Sequence, residues 1–178
     1  MTAQIIFLHG PSSSGKSTLA RAIQARIELP FWHVSFDALR ETGVLPMARF
    51  ASGDFSWRAA RAGVFAGFHA SLGAYAAAGN NLILEHILDT EGWAEELRTL
   101  FTPYDVLFVG LHCPLAVLEA RETARGDRPE GSARADFENV HGGRCYDIEV
   151  QSDDGVEANA ARVLAAWRSG HRVSEFAP

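Results

Sequence analysis

A short stretch rich in glycine and serine near the start of the chain constrains the fold more than any other feature. Residues 10–18 read Gly-Pro-Ser-Ser-Ser-Gly-Lys-Ser-Thr and fit the phosphate-loop pattern G-x-x-x-x-G-K-[S/T]. The apolar residues 4–9 before it predict a buried strand, and residues 16–28 after it predict a helix. Such a unit points backbone N–H groups and the positive end of a helix dipole at phosphate oxygens. The stretch therefore predicts a site for a nucleoside triphosphate.

Individual residues of this phosphate loop have distinct predicted roles. Lys16 is expected to reach the β- and γ-phosphates of ATP, and the Ser17 hydroxyl is expected to bind Mg²⁺. Lys16 is also the only lysine among the 16 lysine and arginine residues. A compact ammonium on a flexible stem suits a position between phosphates better than a planar guanidinium does. The predicted nucleotide-binding residues of the loop are Gly10, Ser12, Ser13, Ser14, Gly15, Lys16, Ser17 and Thr18.

Composition indicates one globular domain over residues 1–178. Hydrophobic residues make up 47% and charged residues 21%, and the net charge of −6 argues against a nucleic-acid-binding surface. The two cysteines form no C-x-x-C metal pattern. No apolar run approaches the roughly 20 residues of a membrane span, and the N-terminus lacks the positive charge of a signal peptide. We expect a cytoplasmic protein without nucleic-acid or membrane partners. The sequence does not decide between a monomer and a homo-oligomer.

Strand and helix patterns alternate along the rest of the chain. Further strands are predicted at residues 31–36, 82–84, 105–112 and 146–150, and helices at residues 58–78, 91–101, 114–125, 132–140 and 155–168. This alternation predicts an α/β fold in which helices cover both faces of a doubly wound, parallel five-stranded sheet. Right-handed crossovers restrict the strand order, and we expect 2-3-1-4-5, the arrangement of phosphate-loop kinases. The last ten residues are expected to pack loosely.

Residues 40–58 lack a clear period but contain several large apolar side chains. A stretch this long and this apolar is more than a linker. It either forms the wall of a binding pocket or contains a short packed helix without a functional role.

Asp37 directly follows the second predicted strand. Ligands of such sheets bind beyond the carboxyl ends of the strands, so Asp37 is expected at the same rim as the phosphate loop. Phosphoryl transfer to an alcohol needs a group that orients or deprotonates the attacking hydroxyl, and an aspartate suits that role. Aspartate also favours helix N-caps, which is the alternative interpretation.

Glu85 and His86 end the third predicted strand. An acidic residue in that position holds Mg²⁺ directly or through water in phosphate-loop enzymes, and a contact with substrate is the alternative for Glu85. His86 has no second histidine at ligand spacing, which argues against zinc. It either forms a hydrogen bond with substrate or is a polar residue at a strand end.

Three arginines cluster between residues 121 and 128. Arg121 and Arg125 are four residues apart on a predicted helix and share a face, and Arg128 follows Gly126. Arginines that close over the phosphates would stabilise the charge that develops during phosphoryl transfer. The alternative is a solvated helix end, where cations are favoured. The glycine and proline around Arg128 favour a lid, with Arg121 at the nucleotide and Arg125 and Arg128 as catalytic arginines.

Several segments together resemble the chloramphenicol phosphotransferase family. Residues 121–128, Arg-Glu-Thr-Ala-Arg-Gly-Asp-Arg, are similar to the lid segment of that family. Residues 110–113 resemble the end of its fourth strand, and residues 140–141 with 146–150 resemble its downstream strand. Asp37 falls where the family has its proposed catalytic aspartate. The resemblance extends over nearly the whole chain.

This resemblance implies an ATP-dependent kinase that phosphorylates a hydroxyl of a small, antibiotic-like molecule. Lys16 and Ser17 would serve the nucleotide and Mg²⁺, Asp37 would be the base, and Arg125 and Arg128 would be lid arginines. The chain departs from the family in two places. The Asp-Asp pair that ends the family's third strand is here Glu85-His86, and residues 40–58 show no convincing match.

Two other functions are compatible with these residues. One is a metabolic small-molecule kinase similar to shikimate or gluconate kinases, and residues 121–128 favour the first resemblance over it. The other is a nucleotide-binding regulator or toxin-like protein that binds ATP without a small alcohol acceptor. Asp37 counts against that second function, because a switch without an acceptor needs no base there.

Overall fold

The protein alternates strands and helices along the part of the chain that its computed structural model describes, residues 2–125 and 131–177 without the side chains of Arg125 and Ser132. The strands are β1 (Gln4–His9), β2 (Phe31–Ser35), β3 (Asn81–His86), β4 (Asp105–His112) and β5 (Ile148–Gln151). The helices are α1 (Lys16–Gln24), α2 (Phe36–Glu41), α3 (Met47–Ala51), α4 (Trp57–Ala77), α5 (Trp93–Phe101), α6 (Leu115–Arg125), α7 (Ser132–Asn139) and α8 (Val156–Ser169). A 3₁₀ turn at Ser152–Asp154 precedes α8.

The five strands form one parallel sheet in the order β2-β3-β1-β4-β5. The predicted fold class and strand order are therefore confirmed. In the central pair, Leu8 lies opposite Glu85 and His9 lies opposite His86. This register brings the start of the phosphate loop beside the carboxyl end of β3. None of the helices among the described residues is long and apolar enough to cross a membrane.

Alternating side chains of the strands build a core on each face of the sheet. In β1, Ile5 and Phe7 face the core beneath α4 and α5, whereas Ile6 and Leu8 face the core beneath α1 and α8. Both cores consist of buried aliphatic and aromatic residues, the composition expected of a parallel sheet covered on both faces. The two cores hold the carboxyl ends of β1, β3 and β4 in one rim.

The second strand ends one residue earlier than its pattern predicted. The strand stops at Ser35, and α2 begins at Phe36. The Ser35 hydroxyl accepts a hydrogen bond from the Ala38 amide at 3.1 Å, so Ser35 is the N-cap of α2. The alternative interpretation of Asp37 as that cap is therefore wrong. Asp37 instead lies in the first turn of the helix, where a negative charge is also favourable.

The C-terminal segment packs against the sheet, and the expectation of a loose end is wrong. The ring of Phe176 is 6% exposed and its centroid lies 5.3 Å from Phe7 and 4.7 Å from Phe108. The Asp147 carboxylate accepts hydrogen bonds from the amides of Val173 at 2.6 Å and Ser174 at 2.9 Å. A buried aromatic ring and the carboxylate of the residue that precedes β5 thus fix a segment whose own sequence is mostly polar.

Phe176→Ala should lower the free energy of unfolding by about 3 kcal/mol, because it leaves a cavity against the two phenylalanines of the sheet. Urea denaturation followed by circular dichroism measures this change. Val173→Ala is the matched control, since Val173 belongs to the same segment and is 53% exposed. The control should change stability by less than about 0.5 kcal/mol. An unaltered urea midpoint for Phe176→Ala would show that the segment does not stabilise the core.

Candidate active site

A cleft of about 1140 Å³ opens at the carboxyl ends of the strands. It brings together most of the site residues that the sequence predicts. The predicted residues that line it are Ser12, Ser13, Ser14, Gly15, Lys16, Ser17, Thr18, Asp37, Glu85 and Arg121. Gly10 lies at the base of the phosphate loop. Arg128 lies outside the described residues, and of Arg125 only the backbone, at the end of α6, is described.

The local backbone geometry explains why both defining positions of the phosphate-loop pattern, Gly10 and Gly15, are glycine. A Cβ on Gly10 would lie 2.4 Å from the carbonyl oxygen of Leu111, so the loop can leave β1 this close to β4 only without a side chain. Gly15 has φ 102°, in the left-handed region that favours glycine, and it immediately precedes α1. Ser13 also adopts a positive φ of 63°. The loop thus curls back over the N-terminus of α1.

The Lys16 ammonium lies inside the curve of the phosphate loop. It donates hydrogen bonds to the carbonyl oxygens of Gly10 at 2.9 Å and Pro11 at 2.8 Å, and the residue is 9% exposed. The charge is therefore held within the loop by backbone oxygens. A flexible stem allows the same ammonium to turn toward phosphate oxygens at the mouth of the loop.

Glu85 joins β3 to the start of α1. Its Oε2 atom accepts a hydrogen bond from the Ser17 hydroxyl at 2.9 Å, and its Oε1 atom contacts Nε2 of His33. Glu85 is 6% exposed, so these partners stabilise a carboxylate that burial would otherwise penalise. A hydroxyl and a carboxylate beside a phosphate loop are hard oxygen ligands of the kind that Mg²⁺ prefers. The donor set therefore fits a magnesium ion.

Sequence reasoning missed His33. It lies on β2 in register with Ile83, two positions before Glu85 on β3. Only the pairing of these two strands brings its ring to the Glu85 carboxylate, because the two residues are 52 positions apart in the chain. The expected strand order places β2 next to β3. The contact between the two side chains depends in addition on the register of these strands, which the sequence does not show.

Asp37 lies on the rim of the cleft. Its carboxylate forms an ion pair with the Arg40 guanidinium one turn later on α2, at 3.3 Å, and its side chain is 44% exposed. The partly solvated carboxylate lines the same cleft as Lys16 and Glu85. The structure thus places an acidic group, a cation and a second carboxylate around one space.

Two side chains from flanking helices hold the outer turn of the phosphate loop. Arg121 on α6 donates from Nη1 to the carbonyl oxygen of Ser13 at 2.9 Å. Asp136 on α7 accepts a hydrogen bond from the amide of Ser12 at 2.9 Å. We call these two contacts the loop clamp. The clamp acts on the turn in which Ser13 has its positive φ, and so it stabilises a backbone conformation that serine rarely adopts.

The two helices that carry the clamp are fastened to each other. Glu122 on α6 accepts hydrogen bonds from the amides of Gly131 at 3.1 Å and Ala133 at 2.7 Å, at the N-terminus of α7. Arg134 pairs with Glu119 at 2.7 Å. A carboxylate at a helix N-terminus satisfies orphan amides and interacts favourably with the helix dipole. The clamp residues therefore belong to one fastened helix pair.

Aromatic residues form the wall of the cleft on the side of α2, α3 and α4. The wall residues are Phe36, Phe50, Trp57, Phe65 and Trp93. Phe36 and Phe65 stack with centroids 4.2 Å apart, and Phe65 lies 4.3 Å from Trp93. The Arg61 guanidinium lies 4.9 Å from the centre of the Phe65 ring and 4.8 Å from that of Trp93. It also forms an ion pair with Asp89 at 3.2 Å. The predicted pocket wall in residues 40–58 and a short helix, α3, are thus both present, and the helix lines the cleft.

His86 lines the cleft next to Phe65 and Trp93 of this wall, and it has a histidine neighbour after all. Its Nε2 atom is 2.9 Å from Nε2 of His69, a residue of α4. Burial lowers the pKa of His86 to about 3, with smaller contributions from His69 and Lys16. His86 is therefore neutral near pH 7. Among the described residues, no three metal-ligating side chains gather at one point.

A second buried network lies beneath the start of the phosphate loop. Nε2 of His9 accepts a hydrogen bond from the Leu88 amide at 3.1 Å, so its proton is on Nδ1, which donates to the Tyr146 hydroxyl at 2.9 Å. That hydroxyl then donates to Nδ1 of His141 at 2.7 Å. Burial raises the pKa of Tyr146 well above its usual value and lowers the pKa of His141 to about 4. This neutral chain anchors the residue that precedes Gly10.

Comparison with known proteins agrees with this geometry. Solved structures that resemble the chain include a gluconokinase from Sinorhizobium meliloti, with 19% identity over 94% of this chain and 93% of that chain and a TM-score of 0.63. The APS kinase CysC of Mycobacterium tuberculosis is 18% identical over 94% of this chain and 98% of that chain, with a TM-score of 0.63. Shikimate kinase from Aquifex aeolicus is 18% identical over 93% of this chain and 96% of that chain, with a TM-score of 0.57.

These likenesses show the fold of phosphate-loop kinases. No curated protein sequence matches the chain. A model of the family described as chloramphenicol phosphotransferase-like protein matches residues 3–168, which is most of the chain. The protein therefore belongs to the chloramphenicol phosphotransferase-like family of phosphate-loop kinases.

Proposed function

We propose that this protein transfers the γ-phosphoryl group of ATP to a hydroxyl of a small molecule with a flat apolar body, as an antibiotic-modifying enzyme would. The observation that carries the proposal is the continuity of the cleft. One space joins the phosphate loop, the Asp37 carboxylate and the aromatic wall. A donor site and an acceptor site that share a cleft around one acidic group are the arrangement that phosphoryl transfer to an alcohol requires.

The cleft divides into two halves around the phosphate loop. The nucleotide half lies between α1, α6 and the start of α8, and Thr18, Arg121, Ser152, Val156 and Asn159 line it. The acceptor half lies between α2, α3 and α4, within the aromatic wall. We assign the base and ribose of ATP to the nucleotide half, because the loop and the helix dipole fix the phosphates between the two halves.

Asp37 is the residue we assign as general base or orienter of the attacking hydroxyl. It lies on α2, which begins where β2 ends at the rim, and its partly exposed carboxylate can accept a proton from an alcohol in the acceptor half. The Arg40 ion pair fixes the direction of the carboxylate. As the new oxygen–phosphorus bond forms and the bond to ADP breaks, the hydroxyl proton passes to Asp37.

Ser17 and Glu85 are the residues we assign to Mg²⁺. Their oxygens are already hydrogen-bonded to each other beside the loop, so only a small rearrangement would turn both toward a cation. When bound, Mg²⁺ would neutralise charge on the β- and γ-phosphates. His33 would then orient Glu85 from the other side of the carboxylate. Lys16 would supply the remaining positive charge within the loop.

The lining of the acceptor half supports an apolar acceptor. Phe36 and Phe65 stack at 4.2 Å and Trp93 lies tilted at 4.3 Å from Phe65, so aromatic carbon lines this half, whereas the two arginines near these rings already have carboxylate partners. Flat apolar molecules gain from such surfaces by burial and ring stacking. A highly hydroxylated sugar acid would leave these rings unused. Arg125 and Arg128 keep their proposed role as lid arginines, on the resemblance alone.

An ADP-release assay with a panel of alcohols tests the proposed function. Aromatic alcohols, chloramphenicol among them, should raise turnover above basal ATP hydrolysis, and shikimate or gluconate should not. The product should gain the mass of one phosphoryl group. Lys16→Ala should abolish transfer while the circular dichroism spectrum is retained. If no alcohol in the panel raises ADP release above that of Lys16→Ala, the protein is not this kinase.

Asp37→Asn should lower kcat by about 10²–10⁴-fold, because the amide cannot accept the hydroxyl proton. The dissociation constant of ATP should change little. Glu41→Gln is the matched control, since it removes a carboxylate from the same helix at the same cleft. Steady-state kinetics and titration calorimetry separate the two effects. Weakened ATP binding with unaltered kcat would assign Asp37 to the metal instead.

The loop clamp links nucleotide affinity to residues outside the phosphate-loop motif. Asp136 and Arg121 hold backbone groups of two successive residues, the amide of Ser12 and the carbonyl of Ser13. A loop that is already held in its phosphate-binding conformation loses less conformational entropy when ATP binds. We therefore assign both clamp residues to nucleotide binding.

Asp136→Asn should weaken ATP binding about tenfold, because a hydrogen bond to a charged acceptor contributes on the order of 1.5 kcal/mol. Titration calorimetry with a non-hydrolysable ATP analogue measures the change. Glu138→Gln is the control, since it removes an exposed carboxylate from the same helix. Equal affinities for the two variants would mean that the clamp does not preorganise the loop.

A further inference from the structure

The buried histidine pair adjoins the acceptor half of the cleft. His86 ends β3, is 5% exposed and lines the cleft, whereas His69 on α4 is 1% exposed. Since successive residues of a strand face opposite sides of the sheet, Glu85 faces α1 and His86 faces α4. The sheet therefore presents a carboxylate to the phosphates and an imidazole to the acceptor.

The two rings share one proton between them. Their Nε2 atoms are 2.9 Å apart, a distance at which one nitrogen must donate and the other must accept. The direction of that hydrogen bond decides what the outer nitrogen of His86 can do. If Nε2 of His86 donates, its Nδ1 carries a lone pair. If Nε2 of His86 accepts, its Nδ1 carries the proton.

Glu96 favours one of these two directions. Its Oε1 atom lies 3.1 Å from Nδ1 of His69, although the carboxylate is out of line with the ring and Nδ1 makes no hydrogen bond. A negative charge this close to a nearly inaccessible ring favours the tautomer of His69 with its proton on Nδ1. Nε2 of His69 then accepts, and Nε2 of His86 donates. The remaining lone pair is on Nδ1 of His86.

The His86 ring is held between aromatic neighbours. The rings of Phe65 and Trp93 stack on it with centroids 5.8 Å and 5.1 Å away, and Phe68 meets its edge at 5.5 Å. Within residues 2–125 and 131–177, no side chain or amide makes a hydrogen bond with Nδ1 of His86, and that atom is not sealed from the cleft. A fixed ring with a lone pair at a binding cleft is a preorganised hydrogen-bond acceptor.

We propose that Nδ1 of His86 accepts a hydrogen bond from the molecule that is phosphorylated, so that this molecule must carry a second donor, a hydroxyl or an amide N–H, besides the reacting hydroxyl. His69 and Glu96 are positioning residues that fix the tautomer of His86. This inference rests on the proposed kinase function and adds the chemical class of its substrate. A site that hydrogen-bonds one group discriminates against analogues that lack it, because a polar atom is then left unpaired.

Nitrogen-15 NMR of histidine-labelled protein at pH 7.5 tests the tautomers without any substrate. His86→Phe and His69→Gln assign the signals. We expect His86 to carry its proton on Nε2 and His69 to carry its proton on Nδ1. The opposite pair of tautomers would make Nδ1 of His86 a donor and would overturn the inference. This result does not depend on whether the protein is a kinase.

Glu96→Gln tests the positioning role from the protein surface. The Glu96 side chain is 48% exposed, so its replacement should leave the fold intact. We expect the His69 and His86 signals to move toward a mixture of tautomers. Glu95→Gln, in the same turn of α5, should leave them unchanged. Identical spectra for the two variants would show that Glu96 does not fix the pair.

Kinetics with paired acceptors test the contact itself. For an acceptor of the panel with a second donor, His86→Phe should raise KM about tenfold, while KM for ATP stays within twofold. For its analogue without that donor, wild type and variant should have the same KM. An equal rise in KM for both acceptors would show that the imidazole of His86 only fills space and accepts no hydrogen bond from the substrate. If no alcohol is phosphorylated at all, the proposed function fails, whereas the tautomer result stands by itself.

Discussion

The buried carboxylate of Glu85 is the constraint on which the geometry of the site depends. A charge that is 6% exposed is unfavourable unless polar partners compensate for its lost hydration. Those partners come from two other elements, Ser17 at the start of α1 and His33 on β2. Satisfying one charge therefore fixes the phosphate-loop helix, an outer strand and a central strand relative to one another. The cleft opens where these three elements meet.

Much of this arrangement could be predicted because it follows from local pattern and general rules of topology. The spacing of Gly10, Gly15 and Lys16 predicts the loop, since each position meets a local backbone or phosphate requirement. Alternating strand and helix periods predict a parallel sheet, and the handedness of crossovers restricts its order. Asp37 and Glu85 then lie at one rim because the carboxyl ends of parallel strands share an edge.

The remaining contacts could not be predicted, because they join residues that no spacing rule relates. Asp136 and Ser12 are 124 positions apart, and His69 and His86 meet only because α4 packs over the end of β3. The C-terminal segment shows the same limit. Its polar sequence suggests a loose end, but Phe176 packs against both Phe7 and Phe108, two rings that the folded sheet brings into contact. Packing between such distant side chains is determined only when the whole chain has folded.

Under the proposed kinase function, the end of β3 separates the phosphate site from the acceptor site. Where the family resemblance predicts two carboxylates, this chain has a glutamate and a histidine on opposite faces of the sheet. The face of Glu85 contacts the phosphate loop, whereas the face of His86 contacts α4 and the aromatic wall. A substitution at the second position therefore alters the acceptor half without disturbing the oxygens beside the phosphates. Because the strand separates the two functions by a single residue, acceptor specificity can diverge while the phosphate chemistry stays fixed.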